Sequence, residues 1–105
     1  MTEGRPYRID FTALAERDLD HINEGAAAFG ELFATKLLNR ILHEIESLGP
    51  TPHRQPCDPD PTARCPVRML PVGDYVVFFR ADDEKHVVTI LRIRHGARRP
   101  LKRFN

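Results

Sequence analysis

The chain has no tryptophan, only two cysteines, two tyrosines and six glycines among its 105 residues, and a formal net charge of just +1. Each scarcity excludes something. Cys57 and Cys65 stand eight positions apart in a proline-rich stretch, and with no secretory signal in view two thiols read as free rather than bridged. His53, Cys57 and Cys65 match the spacing of no common zinc site and lack a fourth ligand, so neither a metal nor another cofactor is expected. No apolar run approaches the roughly 18 to 20 residues needed to span a bilayer, so no membrane association is expected. The opening residues MTEGRPYRID contain no apolar segment of the signal-peptide kind, and a cytoplasmic protein is expected. There is no phosphate-cradling glycine loop and no internal repeat.

What is present is a balanced composition, 41% hydrophobic and 30% charged, which suits one small domain over residues 1–105 with a single core. The near-neutral total hides a division. Residues 1–63 carry six Lys or Arg against eleven Asp or Glu, and residues 64–105 carry ten against four. A basic second half fits a polyanion or an acidic protein segment as partner, or else simple neutralisation of one half by the other across the fold.

The most structured stretch is Pro66 to His95, which reads as three short strands. Pro71-Val72-Gly73-Asp74 and Asp82-Asp83-Glu84-Lys85 supply the reversals between them. Tyr75-Val76-Val77-Phe78-Phe79 has the β-branched and aromatic content of a central strand. In the last strand, period-two alternation places Val88 and Ile90, with either Arg92 or Arg94, on one face. Val87, Thr89, Leu91, Ile93 and His95 fall on the other. Arg68, Arg80, Arg92, Arg94 and His95 all lie at or near strand ends, where they can form a cluster of donors; taken singly, each also fits a solvated rim position.

Upstream, Tyr7, Ile9 and Phe11 alternate with Arg8 and Asp10 as a first strand. Thr12 is placed to cap a helix. That helix is expected to bury Ala15, Leu19, Ile22, Ala26 and Phe29 and to turn Glu16, Arg17, Asp18, Asp20 and Glu24 to water. Gly30 divides it from a second helix, Glu31 to about Leu48, whose stripe is Ala34, Leu37, Leu38, Ile41, Ile45 and Leu48, ended by Gly49-Pro50. The two make a hairpin able to cover one sheet face. His21 and His43 fall on exposed positions of it and read as structural. The connection 49–66 holds six prolines and should be neither helix nor central strand. The basic end, residues 97–105, is either a nucleic-acid contact or a disordered terminus.

Laid out in this order, the chain resembles the RelE/ParE superfamily of type II toxins. The resemblance is carried by Tyr7-Arg8-Ile9-Asp10-Phe11-Thr12 with Ala15-Glu16-Arg17-Asp18-Leu19, by the helix Asn39 to Leu48, and above all by Val67 to Arg80 and Ile90 to Arg98. The His95-Gly96-Ala97-Arg98 ending is similar to that of the ParE branch. The resemblance implies an α+β fold: an N-terminal strand and a helical hairpin packed on a mainly antiparallel sheet with a C-terminal three-stranded meander. It also implies a growth inhibitor that poisons DNA gyrase without catalysing a reaction, neutralised by a cognate antitoxin through an acidic C-terminal segment. Arg68, Arg80, Arg92, Arg94, His95, Arg98 and Arg99 are then the target-binding residues.

The RelE branch implies instead a ribosome-dependent mRNA endonuclease, in which His95 is the proton carrier and Arg68 and Arg80 hold the phosphate. The lysine pair of RelE-like enzymes is missing here, with His53, Arg54 and Arg64 in that region. Their C-terminal tyrosine is absent too, Phe104 being the nearest aromatic. Arginine is a poor base, so these gaps weaken the nuclease reading. A third reading is a toxin-like binding module without activity.

Overall fold

A computed structural model describes residues 6–54 and 67–96. The elements are β1 (Arg8–Phe11), α1 (Ala13–Ala27), α2 (Glu31–Glu46), a single 3-10 turn (Pro52–Arg54), β2 (Arg68–Val72), β3 (Tyr75–Asp82) and β4 (Val87–His95). The strands form one sheet in the order β1-β4-β3-β2, with β1 parallel to β4 and the other pairs antiparallel. The mainly antiparallel expectation holds; the meander starts with β2 at the edge opposite β1 and running in the same direction, so after two reversals β4 returns beside β1 parallel to it.

Local chemistry explains each boundary. The Ala15 amide donates to Thr12 Oγ1 at 3.0 Å, which satisfies one free amide of the first turn of α1. The Thr12 amide donates to the Ile90 carbonyl and the Thr12 hydroxyl to the Leu91 carbonyl, both at 3.0 Å. Strand therefore passes into helix without a connecting loop. Gly30 opens α2 with φ of 121°, a conformation closed to most residues with a Cβ. Two expectations about the helix ends need correction. The second helix stops at Glu46, with Leu48 buried just beyond it. Pro52–Arg54 forms a 3-10 turn inside the connection, since proline is tolerated at the start of a helical turn, where no amide is needed.

The core lies between the hairpin and one sheet face. Ile41, Ile45 and Leu48 from the second helix and its end meet Leu70, Val72, Val77, Phe79, Val88, Ile90 and Ile93 from the sheet. Each such Leu or Ile contributes about 1.5–3 kcal/mol by leaving water. Of the α1 stripe, Ala15 and Ala26 are buried and Leu19 and Ile22 pack at the margin. Phe29, expected inside, is 79% exposed. It follows the last turn of α1, and the helix ends before carrying it over the sheet.

One irregularity matters for function. Phe79 pairs with Ile90 but Phe78 pairs with Arg92, so Leu91 is a bulge residue without a partner on β3. The extra residue reverses the alternation. Ile93 therefore joins Val88 and Ile90 in the core, instead of facing away from them as uninterrupted period-two alternation requires.

Candidate functional site

Beyond Phe11 the chain leaves the sheet, so the last part of β4 has no strand beside it on that edge. Helix α1 fills the gap with Asp18. Its carboxylate accepts from the Ile93 amide at 2.8 Å, from Arg92 Nε at 2.8 Å and from Arg92 Nη2 at 3.1 Å. Asp18 is thus a buried charge and not the solvated residue its place among Glu16, Arg17 and Asp20 suggested. It replaces a missing strand partner for Ile93 and neutralises Arg92 at once. The hydrogen bonds that Arg92 donates to Asp18 raise the guanidinium above its ordinary value, with burial opposing.

Next to this pair lies an open groove of about 1110 Å³ between the far end of the hairpin and the meander. One wall carries Phe29, Phe33 and Leu37; the opposite wall carries Val72, Tyr75 and Ile93. Phe29 and Phe33 meet edge to face at 6.0 Å between ring centres. Arg40, Arg92, Arg94 and His95 line the same groove. His95 stands edge-on to Tyr75 at 5.2 Å. Arg40 lies over the β2–β3 turn, where a Cβ on Gly73 would come within 3.3 Å of its Nη1 and where the backbone has φ of 58°.

The expected cluster of cations is therefore divided. Arg92, Arg94 and His95 meet at the groove, whereas Arg68 does not. Arg68 pairs with Phe79 and His95 with Tyr75, four residues along β3 and two strands across, which separates their backbones by roughly 17 Å. Arg80 alternates with Phe79, so it stands exposed on the sheet face away from the helices. Arg98 and Arg99, the basic end and the pair Cys57 and Cys65 lie outside the described residues.

Arg68 belongs to a different neighbourhood, which sequence reading missed. There the Tyr7 hydroxyl donates to Asp83 Oδ1 at 2.7 Å, His53 Nε2 lies 2.8 Å from the same oxygen, and the Tyr7 ring stacks on His86 at 3.9 Å. The hydrogen bond from Tyr7, then that from His53, holds the Asp83 carboxyl below the usual carboxylate range, helped by the charge of Arg68. The same bond raises the Tyr7 phenol. Residues 7, 53, 83 and 86 share no local pattern, and only the end of the sheet brings them together. Among the described residues no group of His, Cys, Asp or Glu side chains could hold a metal ion, and no helix is long and apolar enough to cross a membrane.

A helical hairpin on a small mixed sheet, with a cationic groove along the seam, defines the class: an α+β domain of the RelE/ParE-like fold. Residues 9–100 match the family described as the ParE toxin of the type II toxin-antitoxin system parDE, and the chain belongs to that family. Among solved structures it is similar to the chromosomal ParDE toxin-antitoxin system of P. aeruginosa, with a TM-score of 0.70 and 23% identity over 85% of this chain and 95% of that one. It is also similar to the RelBE2 toxin-antitoxin complex of Mycobacterium tuberculosis, with a TM-score of 0.64 and 26% identity over 86% and 98%. A third is the archaeal RelE-RelB complex of Pyrococcus horikoshii OT3, with a TM-score of 0.62 and 16% identity over 90% and 99%. No curated protein sequence matches significantly. The chain is a type II toxin of the ParE/RelE group, and the fold is common to both branches.

Proposed function

We propose that this toxin arrests growth by acting on DNA gyrase, without a catalytic step of its own, and that an antitoxin neutralises it. The observation that carries the choice of target is the division of the cations. Cleavage of RNA needs a proton carrier and a phosphate clamp on one scissile bond, with groups in hydrogen-bond reach of it. His95 stands far from Arg68 and on the opposite sheet face from Arg80, so these three do not converge on one phosphate. What does converge at the end of β4 is a basic, partly aromatic surface suited to a macromolecule. The toxin-antitoxin complexes among its structural neighbours support the antitoxin as a partner.

The test incubates the purified protein with gyrase, relaxed plasmid and ATP, and in parallel with translating ribosomes and a defined mRNA. Lost supercoiling or trapped cleaved DNA, with intact mRNA, is the expected result. Charge reversal at Arg94 and Arg98 should abolish growth arrest while leaving the thermal transition in place. Full toxicity of that folded double variant would reject the basic end as the working surface.

A second reading, the ribosome-dependent endonuclease, has one observation in its favour, the His53–Asp83 pair within electrostatic reach of Arg68. Under it, codon-phased mRNA cuts vanish on His53→Ala and survive His95→Ala. Silence in both assays would leave a binding module without activity.

A further inference from the structure

Glycine serves two different purposes among the described residues. Gly30 and Gly73 stand at φ of 121° and 58°, where a residue with a Cβ is strained. Gly96 has no such torsion; what excludes a side chain there is space. A Cβ built on it would lie 3.0 Å from the Asp74 carbonyl oxygen and 3.5 Å from Val76 Cγ2. At Gly49 and Gly73 the nearest contact is 3.3 Å, and at Gly25 and Gly30 nothing comes within 4 Å, so Gly96 is the most crowded of these positions. Its tightest neighbour is backbone inside a turn and not the yielding end of a long side chain.

The crowding has a source. β3 and β4 pair as far as Tyr75 and His95, and Gly96 donates its amide to the same Asp74 carbonyl. The ladder thus runs one residue past β4, onto the turn between β2 and β3. A methyl group at 96 fits only if the backbone moves off Asp74, which weakens that hydrogen bond. What the bond fixes is the start of the basic end. Residues 97–105 carry Arg98, Arg99, Lys102 and Arg103 and no acid, and the family match continues to residue 100. Arg98 follows Gly96 by two residues, so their Cα atoms are within roughly 7 Å of each other. Arg94 precedes Gly96 by two residues, pairs with Val76 and alternates with the core residue Ile93, on the side of the sheet away from the helices. Arg92, the next cation back, is committed to Asp18.

We propose that Gly96 is a positioning residue for the toxin's contact with its target. By letting the chain seat on the Asp74 carbonyl, it holds Arg98 at a fixed place relative to Arg94, so that the two cations engage the target as one unit. This rests on the reading, given above, that the basic end is the working surface. Gly96 is itself exposed, so water replaces the hydrogen bond when it is lost and the fold is little affected.

The test compares Gly96→Ala with Ala97→Ser, which alters the adjacent residue without adding a Cβ. Gly96→Ala should lower growth-arrest potency by about tenfold to a hundredfold, the scale set by a misplacement near 1 Å, with the thermal transition unmoved. Ala97→Ser should keep full potency. A merely structural role would leave the relation between the two arginines untouched. In the unaltered chain the effects of Arg94→Gln and Arg98→Gln on potency should be non-additive, whereas on the Gly96→Ala background they should simply add. Amide hydrogen exchange checks the geometry without reference to activity: the residue 96 amide should be protected in the unaltered chain and exchange at least about tenfold faster in Gly96→Ala. Full potency of Gly96→Ala, additive arginine effects in both backgrounds, or rapid exchange at Gly96 in the unaltered chain would overturn the proposal. Arrest that survives charge reversal at Arg94 and Arg98 would overturn the working-surface reading and the proposal with it. Arrest lost on that reversal but kept in Gly96→Ala would overturn the proposal alone.

Discussion

Asp18 and Asp83 each gather hydrogen bonds from residues far off in sequence, one toward each end of β4. Asp18 binds Arg92 and the Ile93 amide with its side chain 11% exposed, whereas Asp83 binds Tyr7 and His53 with its side chain 66% exposed. The same functional group has two different physical roles. Beside the groove, water is excluded, and losing the carboxylate would leave a guanidinium and a backbone amide without partners. At the far end, water can replace each bond as it breaks, and the cluster orients the start of β1 and the β3–β4 turn at small energetic gain. This fold is therefore intolerant beside the groove and tolerant at the far end of β4.

The comparison breaks most visibly at Asp18. Asp18→Ala is expected to cost about 3 kcal/mol in urea unfolding, because it strips partners from Arg92 and Ile93 together. In a domain of this size that lowers the melting temperature by more than about 10 °C. A loss below about 1 kcal/mol would mean that the buried carboxylate is worth no more than an exposed one. Gly73→Ala should come next, at about 1–2 kcal/mol, since alanine at φ of 58° is strained. The new Cβ would also come within 3.3 Å of Arg40 Nη1, the end of a flexible side chain that can shift aside, so the backbone strain should account for most of the loss.

The smallest effect belongs to the exposed cluster and is best read through pH. Asp83 titrates below its ordinary range, so its contribution is complete above the unfolded carboxylate value of about 4 and disappears as pH falls through the folded value. Tyr7 titrates above its ordinary value, so its contribution is complete below about pH 10 and disappears as pH rises through the folded value. Tyr7→Phe should flatten both limbs while costing under about 1 kcal/mol between them. In a near-ultraviolet titration, the substitution should remove a tyrosinate transition displaced upward from the ordinary phenol value. If the variant leaves the acid and alkaline limbs unchanged, Tyr7 and Asp83 are not coupled in solution.

Much of the architecture was legible because it is written in short-range patterns. The spacing of Ile41, Ile45 and Leu48 marks a helix with one buried stripe, Thr12 a cap, Gly30 a break, and the β-branched run 75–79 a central strand. The order of these elements, with Val67 to Arg80 and Ile90 to Arg98, was enough to point to the toxin superfamily. Of the site, Arg92, Arg94 and His95 were legible as a group. Arg40 was not, because an arginine on the solvent side of a helix carries no mark of the turn it will lie over.

By itself, then, the chain's local chemistry determined which segments are helix or strand and where they reverse, since capping, propensity and periodicity act within a few residues. Only the tertiary structure decided the rest. The bulge at Leu91 turned Ile93 inward, the end of β1 at Phe11 left an edge for Asp18 to close, and the short first helix left Phe29 outside. The same packing separated Arg68 and Arg80 from His95 and laid Arg40 over the β2–β3 turn. Each of these depends on which groups remain unpaired once distant elements have met, and residues widely separated along the chain acquire that dependence only in the folded state.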